Sequence, residues 1–408
     1  MLSQFTVKNY KSIRDEMTFD MQTVAISEHP EHVIRDTDGE TYLPVASIYG
    51  PNGGGKSNVL EALQVLVYKV IRPLYVAMNR SEPKRLLKAL PAVPFVFAEE
   101  TKNKPTEFEV FFKTDSAEYR YILYVQGEIV LKEQLDRIKK ETGRKSALFM
   151  REESALELKG VLSSLKISEG LSNTIPLLSY LAITYGENEV VKDVMGWFTT
   201  GVDFLDYGNP FHEARVVIVH REPVRHLILK MIQEMDLDID DFRVEEKEDG
   251  RYEIYTKHTI DGVDTEIDLT AESSGTRKIF GLLPFVAGSI LQGSTLVVDE
   301  LDAKIHPVLL KYIIQLYTDP AANRHGAQLI FTSHDLSTMN NELFRRDEIW
   351  FVAKGNQQNS KLYSLVEFKN DKGEAVRKDA RYDKQYLEGK YGADPYLQRI
   401  IDWSAPDA

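Results

Sequence analysis

The sequence predicts an α/β fold organised around a glycine-rich loop, with an antiparallel β subdomain and a helical insertion. Three observations support this prediction. A buried strand, a glycine-rich loop and a helix follow one another around residue 50. Strands that alternate apolar and polar residues occupy residues 106–138, and leucines recur at helical spacing between residues 151 and 240.

The glycine-rich loop, residues 50–57, matches the pattern G-x-x-x-x-G-K-[ST]. An apolar strand, residues 45–49, precedes it, and a helix predicted to run to about Ile71, just before Pro73, follows it. Glycines let backbone N–H groups turn around a phosphate, Lys56 adds a charge for the β- and γ-phosphates, and Ser57 offers a hydroxyl to Mg²⁺. The predicted phosphate-binding residues are Asn52, Gly53, Gly54, Gly55, Lys56, Ser57 and Asn58. The alternative, a glycine-rich turn before an ordinary helix, is disfavoured by the strand and helix on either side.

Length and composition limit the class of protein. The 408 residues suffice for one large α/β domain with an insertion, or for two domains. The absence of cysteine excludes disulfides and, with no apolar run at the N-terminus, indicates a cytoplasmic protein. A net charge of −13 argues against a chain whose whole surface binds nucleic acid, but it does not exclude one local basic groove.

One uncharged stretch, residues 279–298, is long enough to span a bilayer. Pro284, Gly288 and Gly293 interrupt it, so we interpret it as a buried helix ending near Leu291, a turn, and a buried strand at residues 295–298. We therefore expect no membrane partner.

The remaining elements follow in chain order. Strands are predicted at residues 5–10 and 17–21, then at 106–112, 117–126 and 128–138 as an antiparallel sheet, and later at 242–246, 251–258 and 263–269. Helices are predicted at residues 155–165, 171–185 and 223–235. These assignments divide the chain into an N-terminal lobe (1–150), a helical insertion (151–240) and a C-terminal lobe (241–408).

Two apolar strands in the C-terminal lobe end in polar side chains. The strand at residues 295–298 runs into Asp299 and Glu300, which suit a Mg²⁺ shell and the polarisation of an attacking water, respectively. The strand at residues 328–333 ends at His334, which suits a sensor of the γ-phosphate. A lone histidine after a strand is usually structural, and a lone acidic strand end is a weak signal; the phosphate loop strengthens both.

A third segment, residues 272–276, precedes a helix that begins with Arg277 and Lys278. Ser273 and Gly275 supply a hydroxyl and a flexible backbone at this helix N-terminus, so a second anion site is predicted there. The alternative is a simple N-cap.

The order of these motifs resembles the ABC-type ATPase heads of the SMC/RecF class. The resemblance implies ATP and Mg²⁺ as cofactors and an ATP-dependent dimer or higher oligomer, in which Ser273 and Gly275 act on the nucleotide of the partner. It also implies that Asp302 lies at the dimer seam and that Lys11 and Ser12 touch the phosphates. Ser274 and Thr276 depart from the signature of membrane transporters. Gln134 is the candidate for the glutamine of the Q-loop.

A further resemblance covers nearly the whole chain. Residues 49–58, 272–276, 299–307, 345–347 and 386–393 resemble stand-alone bacterial phage-defence ATPases of the RloA or abortive-infection L type, related to overcoming-lysogenization-defect nucleases. This implies an ATP-hydrolysing protein in antiviral defence, with an effector protein from the same operon as its partner. The alternatives are a RecF-like DNA-repair or DNA-maintenance ATPase that binds DNA, and a nucleotide-bound scaffold that hydrolyses very slowly.

The C-terminal region is not expected to form a nuclease. Its acidic residues Glu367, Asp371 and Glu374 lie in a loop rich in lysine and glycine, without strands to hold them in metal-ligand geometry. The tail contains four tyrosines, interpreted either as a partner interface or as a helix that packs on the core. These tyrosines are Tyr382, Tyr386, Tyr391 and Tyr396.

Overall fold

The computed structural model describes residues 1–78, 90–140, 142–153, 155–168, 170–205, 222–248, 252–370 and 373–393. Its strands are β1 Leu2–Lys8, β2 Met17–Asp20, β3 Ile34–Arg35, β4 Thr41–Tyr42, β5 Val45–Tyr49, β6 Thr106–Lys113, β7 Ala117–Gln126, β8 Ile129–Lys139, β9 Lys145–Glu152, β10 Ala155–Leu158, β11 Val202–Leu205, β12 Asp241–Glu246, β13 Tyr252–Ile260, β14 Val263–Asp268, β15 Thr295–Val298, β16 Gln328–Thr332, β17 Ile349–Lys354 and β18 Ser360–Ser364. Its α-helices are α1 Lys56–Ala77, α2 Glu99–Lys102, α3 Leu177–Tyr185, α4 Glu189–Gly196, α5 Glu222–Glu234, α6 Ser274–Gln292, α7 Pro307–Thr318 and α8 Tyr382–Leu387.

A six-stranded sheet carries the phosphate loop. Its strand order is β11-β15-β16-β5-β17-β18, and every neighbouring pair is parallel except β17 with β18. Strands β5, β15 and β16 are buried along their whole length, because both faces of this sheet are covered. Val297 and Ile330 belong to the core that includes α1, whereas Leu296 and Val298 belong to the core of α6 and α7.

A seven-stranded antiparallel sheet, in the order β10-β9-β8-β7-β6-β1-β2, forms the second layer. The sequence predicted its strands β6, β7 and β8, and the structure confirms them. Alternate residues of β6, Phe108, Val110 and Phe112, are fully buried, which explains the period of two. Residues 155–165 were predicted to be helical, and this was wrong: β10 and a short 3₁₀ turn at Gly160–Leu162 occupy them. Pairing of β10 with β9 decides the conformation there.

A buried carboxylate joins this sheet to the helical segment behind it. Glu133 of β8 is fully buried and accepts hydrogen bonds from the backbone N–H groups of Leu177 (2.5 Å) and Leu178 (2.9 Å) and from the hydroxyl of Tyr121 (2.9 Å). The carboxylate therefore takes up donors at the start of α3 that the helix itself cannot satisfy. Burial raises the pKa of Glu133.

Two predicted helix ends have different outcomes. Helix α1 continues past Ile71 to Ala77 with Pro73 inside it, so the predicted end was wrong. Leu74 and Tyr75 beyond the proline pack against the core, and this packing offsets the hydrogen bond that proline removes. The structure confirms the interpretation of residues 279–298, since α6 ends at Gln292 and β15 begins at Thr295. In the described part of the chain, none of the helices is long and apolar enough to cross a membrane.

The C-terminal tyrosines pack on the chain's own core. Tyr382, Tyr386 and Tyr391 are almost fully buried, and the ring of Tyr386 stacks on Phe351 of β17 with centroids 5.6 Å apart. Of the two interpretations of this tail, core packing is therefore the one observed for these three residues. Tyr396 lies outside the described residues. The secondary structure predicted for residues 242–269 is confirmed as the antiparallel sheet β12-β13-β14.

Candidate functional site

Three neighbouring parallel strands end at one edge of the six-stranded sheet. Strand β16 lies between β5 and β15, and in the ladder Thr332 is opposite Ile48 while Phe331 is opposite Val298. The residues that follow each strand therefore meet at the same edge. They are residues 50–55 after β5, Asp299 and Glu300 after β15, and Ser333 and His334 after β16.

The loop after β5 is folded around its own lysine. The ammonium of Lys56 donates to the carbonyl oxygens of Gly50 (2.9 Å) and Pro51 (3.3 Å). Gly53 and Gly55 adopt left-handed conformations, with φ of 72° and 107°. Burial lowers the pKa of Lys56, against the opposing effect of the nearby carboxylates, of which that of Asp299 is the strongest. Among the described residues the ammonium of Lys56 bonds only carbonyl oxygens, so this buried cation is poised to accept an anion.

A cluster of polar side chains supports the loop from behind. The Oγ atom of Ser360, in β18, lies 2.6 Å from the carbonyl oxygen of Gly54 and 2.7 Å from the Oγ atom of Ser12. Asn58 donates to the same Ser12 oxygen at 2.7 Å. A Cβ atom on Gly55 would lie 2.2 Å from Ser360 Oγ, so only glycine fits there.

Lys11 and Ser12 contact the elements around the loop. The ammonium of Lys11 forms an ion pair with Glu61 of α1, and Ser12 bonds to Asn58 and Ser360 as described above. Both residues thus hold the N-terminal turn against α1 and β18. Their predicted contact with nucleotide phosphates stays a prediction.

Thr332 organises the two carboxylates after β15. Its hydroxyl donates to Asp299 Oδ1 at 2.6 Å and accepts a hydrogen bond from the backbone N–H of Glu300 at 2.7 Å. Glu300 adopts a left-handed conformation with φ of 50°, and its side chain is exposed. This arrangement separates the roles of the pair, because Asp299 is held toward the sheet while Glu300 projects from it.

The turn after Glu300 is tied to His334 and to helix α6. The backbone N–H of His334 donates to Asp302 Oδ2 at 3.1 Å, and the other oxygen, Oδ1, is buried with no hydrogen-bond partner in the described part of the chain. Lys278 of α6 is buried and donates to the carbonyl oxygens of Glu300 (3.3 Å) and Ala303. Burial lowers the pKa of Lys278 to about 8.

The predicted second anion segment lies at the start of α6. Ser273 is the N-cap of this helix, and its Oγ accepts from the backbone N–H of Thr276 at 3.1 Å. The N-cap reading is therefore observed, and it leaves the anion-binding reading open, because Ser273 is exposed. Glu272, one residue earlier, accepts from Thr256 (2.7 Å) and lies 2.9 Å from His258 Nε2, which links the segment to β13.

Gln134 and the C-terminal acidic residues lie elsewhere. Gln134 is in β8 of the antiparallel sheet and donates to Asp136 at 2.8 Å, so it is not on the sheet that carries the phosphate loop. Glu367 accepts from the backbone N–H of Ser364 at 3.1 Å, and Glu374 accepts from Asn370 at 2.9 Å. Asp371 lies outside the described residues.

The sequence analysis did not predict the roles of three residues of the site, Thr332, Ser360 and Lys278. The role of Thr332 could have been predicted, because it is the last residue of β16 and therefore lies at the same sheet edge as Asp299. Ser360 and Lys278 had no sequence signal, because their roles come from contacts between distant segments.

The residues at this edge fit a nucleoside triphosphate with Mg²⁺. Gly55 occupies a cradle that any Cβ atom would fill, the buried ammonium of Lys56 bonds only carbonyl oxygens among the described residues, and α1 begins directly at the loop. Ser57 is exposed at the first turn, and Asp299 supplies the carboxylate oxygen that Mg²⁺ prefers.

The fold and this edge define a P-loop ATPase. A family model described as "AAA domain, putative AbiEii toxin, Type IV TA system" matches residues 45–170 and 203–340, and the chain belongs to this family. No curated protein matches the chain.

Solved structures of SMC heads are similar in overall fold. The SMC head bound to the C-winged helix domain of ScpA has a TM-score of 0.49 at 13% identity, covering 89% of this chain and 97% of that one. The SMC head domain from Thermotoga maritima has a TM-score of 0.44 at 13% identity, with coverage of 89% and 98%. The SMC head with an extended coiled coil bound to the C-terminal domain of ScpA, derived from Pyrococcus furiosus, has a TM-score of 0.47 at 11% identity, with coverage of 89% and 96%.

Proposed function

We propose that this protein binds ATP with Mg²⁺ and hydrolyses it to ADP and phosphate. The observation that carries the proposal is the meeting of three groups at one sheet edge: the phosphate loop after β5, the Asp299–Glu300 pair after β15 and His334 after β16. Phosphoryl transfer depends on positioning and charge stabilisation, and these groups supply both.

Each group has a distinct role in the proposal. Lys56 and the backbone N–H groups of the loop hold the phosphates, while Ser57 and Asp299 hold Mg²⁺, which neutralises phosphate charge when bound. Glu300 takes the proton of the attacking water, which its exposed carboxylate can reach. His334 senses the γ-phosphate, and its backbone N–H donates to Asp302 in the turn after Glu300.

The active site is completed by a second copy of the chain. Ser273 and Gly275 lie at the start of α6, where Ser273 is exposed, and neither residue belongs to the phosphate loop. We propose that they contact the nucleotide held by the partner's loop, with Asp302 at the seam, in an ATP-dependent dimer or higher oligomer. The connection of Lys278 to the carbonyls of Glu300 and Ala303 links the start of α6 to the turn that would form this seam.

The biological role proposed is antiviral defence, in which the ATP state of this protein senses phage or controls an effector protein from the same operon. The family description names a type IV toxin–antitoxin system, which supports a function beside a partner protein. The resemblance to stand-alone RloA-type ATPases points the same way. In the described residues, the carboxylates of the C-terminal region bond locally, which supports the expectation that the chain alone is not a nuclease.

The test compares purified wild-type protein with Glu300→Gln and Lys56→Ala. Wild type should release phosphate from ATP and leave DNA and RNA intact with Mg²⁺ or Mn²⁺. If wild type released phosphate no faster than Lys56→Ala, which should not hold the nucleotide, the ATPase assignment would be refuted. For the biological role, cells carrying the whole operon with Glu300→Gln should lose resistance to phage; unchanged plating efficiency would refute the role without touching the enzymology.

A further inference from the structure

The loop between β2 and β3 carries two histidines and a glutamate close together. His29, Glu31 and His32 form the group of histidine and acidic side chains that, among the described residues, is spaced to hold a metal ion. One ligand atom from each lies within 4.8 Å of the other two. None of these residues takes part in the nucleotide site, so the cluster needs its own explanation.

The distances suit a small coordination sphere, but the two imidazole rings are stacked, with centroids 4.5 Å apart and planes at 14°, so one ring must turn before both nitrogens point at a common ion. His29 Nδ1 lies 3.2 Å and His32 Nε2 lies 4.0 Å from the same oxygen, Glu31 Oε1. In a tetrahedral zinc site, bonds of about 2 Å place neighbouring ligand atoms about 3.3 Å apart. The His29–Glu31 pair already has this separation, and the His32–Glu31 pair reaches it if the exposed side chain of Glu31 moves by less than 1 Å.

The second nitrogen of each imidazole faces an acceptor. His29 Nε2 lies 2.9 Å from the carbonyl oxygen of Asn341, and His32 Nδ1 lies 3.6 Å from Glu348 Oε1. This outer arrangement is what orients a metal-binding histidine, because it places the proton on the far nitrogen and leaves the near one free to bind.

The buried partner of His32 is an independent sign of a ligand. Glu348 is fully buried, and its Oε1 has no hydrogen-bond partner in the described part of the chain; His32 Nδ1 is likewise buried and unbonded. Leaving both atoms unsatisfied is costly. A cation on His32 Nε2 would fix the proton on Nδ1 and strengthen the pull of Glu348 on it, which would satisfy both atoms.

We propose that His29, Glu31 and His32 bind one divalent transition-metal ion, with Zn²⁺ as the best fit. Two imidazoles and one carboxylate suit Zn²⁺, whereas Mg²⁺ takes oxygen ligands and keeps much of its water. Three protein ligands leave a fourth position, and because Glu31 is exposed, this position is open to water.

The ion would fasten the N-terminal loop to the segment that follows β16. Arg345 already donates to the carbonyl oxygen of Glu28 at 2.7 Å, and the backbone N–H of Val24 donates to Asp347 Oδ2 at 3.1 Å. The metal adds a connection through Asn341 and Glu348 on the same segment. The segment begins shortly after His334, so this clip joins the loop between β2 and β3 to the chain that leaves the nucleotide edge.

The experiment uses the full chain, stripped of metal by a chelator and titrated with Zn²⁺ against a chromophoric competitor. Wild type should bind one Zn²⁺ per chain, and millimolar Mg²⁺ should not displace it. His32→Gln and Glu31→Gln should each weaken Zn²⁺ binding by about 100-fold, and Glu348→Gln by about 10-fold or more. Co²⁺ in place of Zn²⁺ should show the absorption of a tetrahedral site in wild type and lose it in His32→Gln.

Two controls keep the result specific. His226→Gln removes an exposed imidazole on α5, and Asp299→Asn removes the carboxylate proposed for Mg²⁺; both should bind Zn²⁺ as wild type does. Circular dichroism checks that each variant is folded, and the exposed Glu31 offers a variant with little risk to folding. Equal Zn²⁺ affinity in wild type, His32→Gln and Glu31→Gln, or displacement of Zn²⁺ by Mg²⁺, would overturn the proposal.

Discussion

The phosphate loop and the start of α6 are the two proposed anion sites, yet their surroundings differ. The loop is enclosed by the chain: Lys56 is buried against carbonyl oxygens, and Ser360 and Ser12 fill the space beside Gly55. Ser273 at the start of α6 is exposed, and among the described residues its hydroxyl bonds only to Thr276, within its own turn. The loop is therefore packed against other segments of its own chain, whereas Ser273 at the start of α6 faces solvent.

This difference indicates what each region needs in order to bind phosphate strongly: the loop needs only its own chain, and the start of α6 needs a second surface. A preorganised loop can bind phosphate without further ordering, because its strain and polar contacts are already in place. An exposed helix N-terminus gains full strength only when another surface excludes water from it. Variants of the loop should therefore act on nucleotide binding by a single chain, and variants at Ser273 should act on assembly-dependent hydrolysis.

The largest expected effect separates binding from chemistry at the loop edge. Glu300→Gln should reduce ATP hydrolysis by about 100-fold or more, because the general base is lost while the loop stays intact. Its affinity for ATP, measured by titration with a fluorescent analogue, should match that of wild type. Lys56→Ala is the contrasting variant, because it should bind ATP more weakly than wild type does. Hydrolysis at the wild-type rate in Glu300→Gln would remove this residue from the mechanism.

The next effect tests how tightly the loop is enclosed. Gly55→Ala should weaken ATP binding by about 10-fold or more, since a Cβ atom would collide with Ser360 in a left-handed conformation that costs about 1–2 kcal/mol by itself. The measurement is the same fluorescence titration.

Gly53→Ala is the matched control for that variant. Gly53 also has a positive φ, of 72°, but a Cβ atom there would meet nothing within 4 Å. It should therefore lose less affinity than Gly55→Ala. Equal losses of ATP affinity in the two variants would show that the left-handed backbone conformation, and not the collision with Ser360 and Ser12, accounts for the effect of Gly55→Ala.

A smaller effect tests whether the second region acts on another chain. Ser273→Arg and Lys56→Ala proteins should each be inactive, but an equal mixture should recover about a quarter of wild-type hydrolysis if dimers form at random. Half of the dimers would then be mixed, and each would hold one intact composite site. A mixture that shows mixed dimers by light scattering and differential labelling, yet no recovery, would contradict the shared site.

The smallest effect concerns Lys278, which connects the two regions. Its pKa is lowered to about 8 in the folded protein, from 10.5 for the unperturbed group. Between these values the unfolded chain binds the proton that the folded chain has released, so stability rises with pH. Relative to Lys278→Met, wild type should gain about 1 kcal/mol in unfolding free energy between pH 8 and 9.

Urea unfolding at each pH measures that difference. The Lys278→Met protein lacks the titrating group, so subtracting its curve removes the contribution of all other residues that titrate equally in both proteins. A difference that stays constant, or that falls as pH rises, would show that the buried ammonium is not destabilised by its surroundings.

Local patterns determined much of this protein. The glycine loop, the apolar strands before Asp299 and His334, and the alternating strands of β6 to β8 were all predicted, because strand period and glycine chemistry act over a few residues. The same local patterns led to two errors. Leucine spacing at residues 155–165 suggested a helix where β10 pairs with β9, and Pro73 suggested an end that packing of Leu74 and Tyr75 overrides.

Only the tertiary structure determined the contacts between distant segments. Ser360 supports the loop from β18, Thr332 sets the Asp299–Glu300 pair from β16, and Lys278 holds the turn beyond them from α6. The pairing of Glu348 with His32 across the fold is of the same kind. Sequence periodicity reports which face of an element is buried, but it carries no information about which distant side chain will meet that face. Strand order and burial settle that question, because they bring the partners together only once the chain has folded.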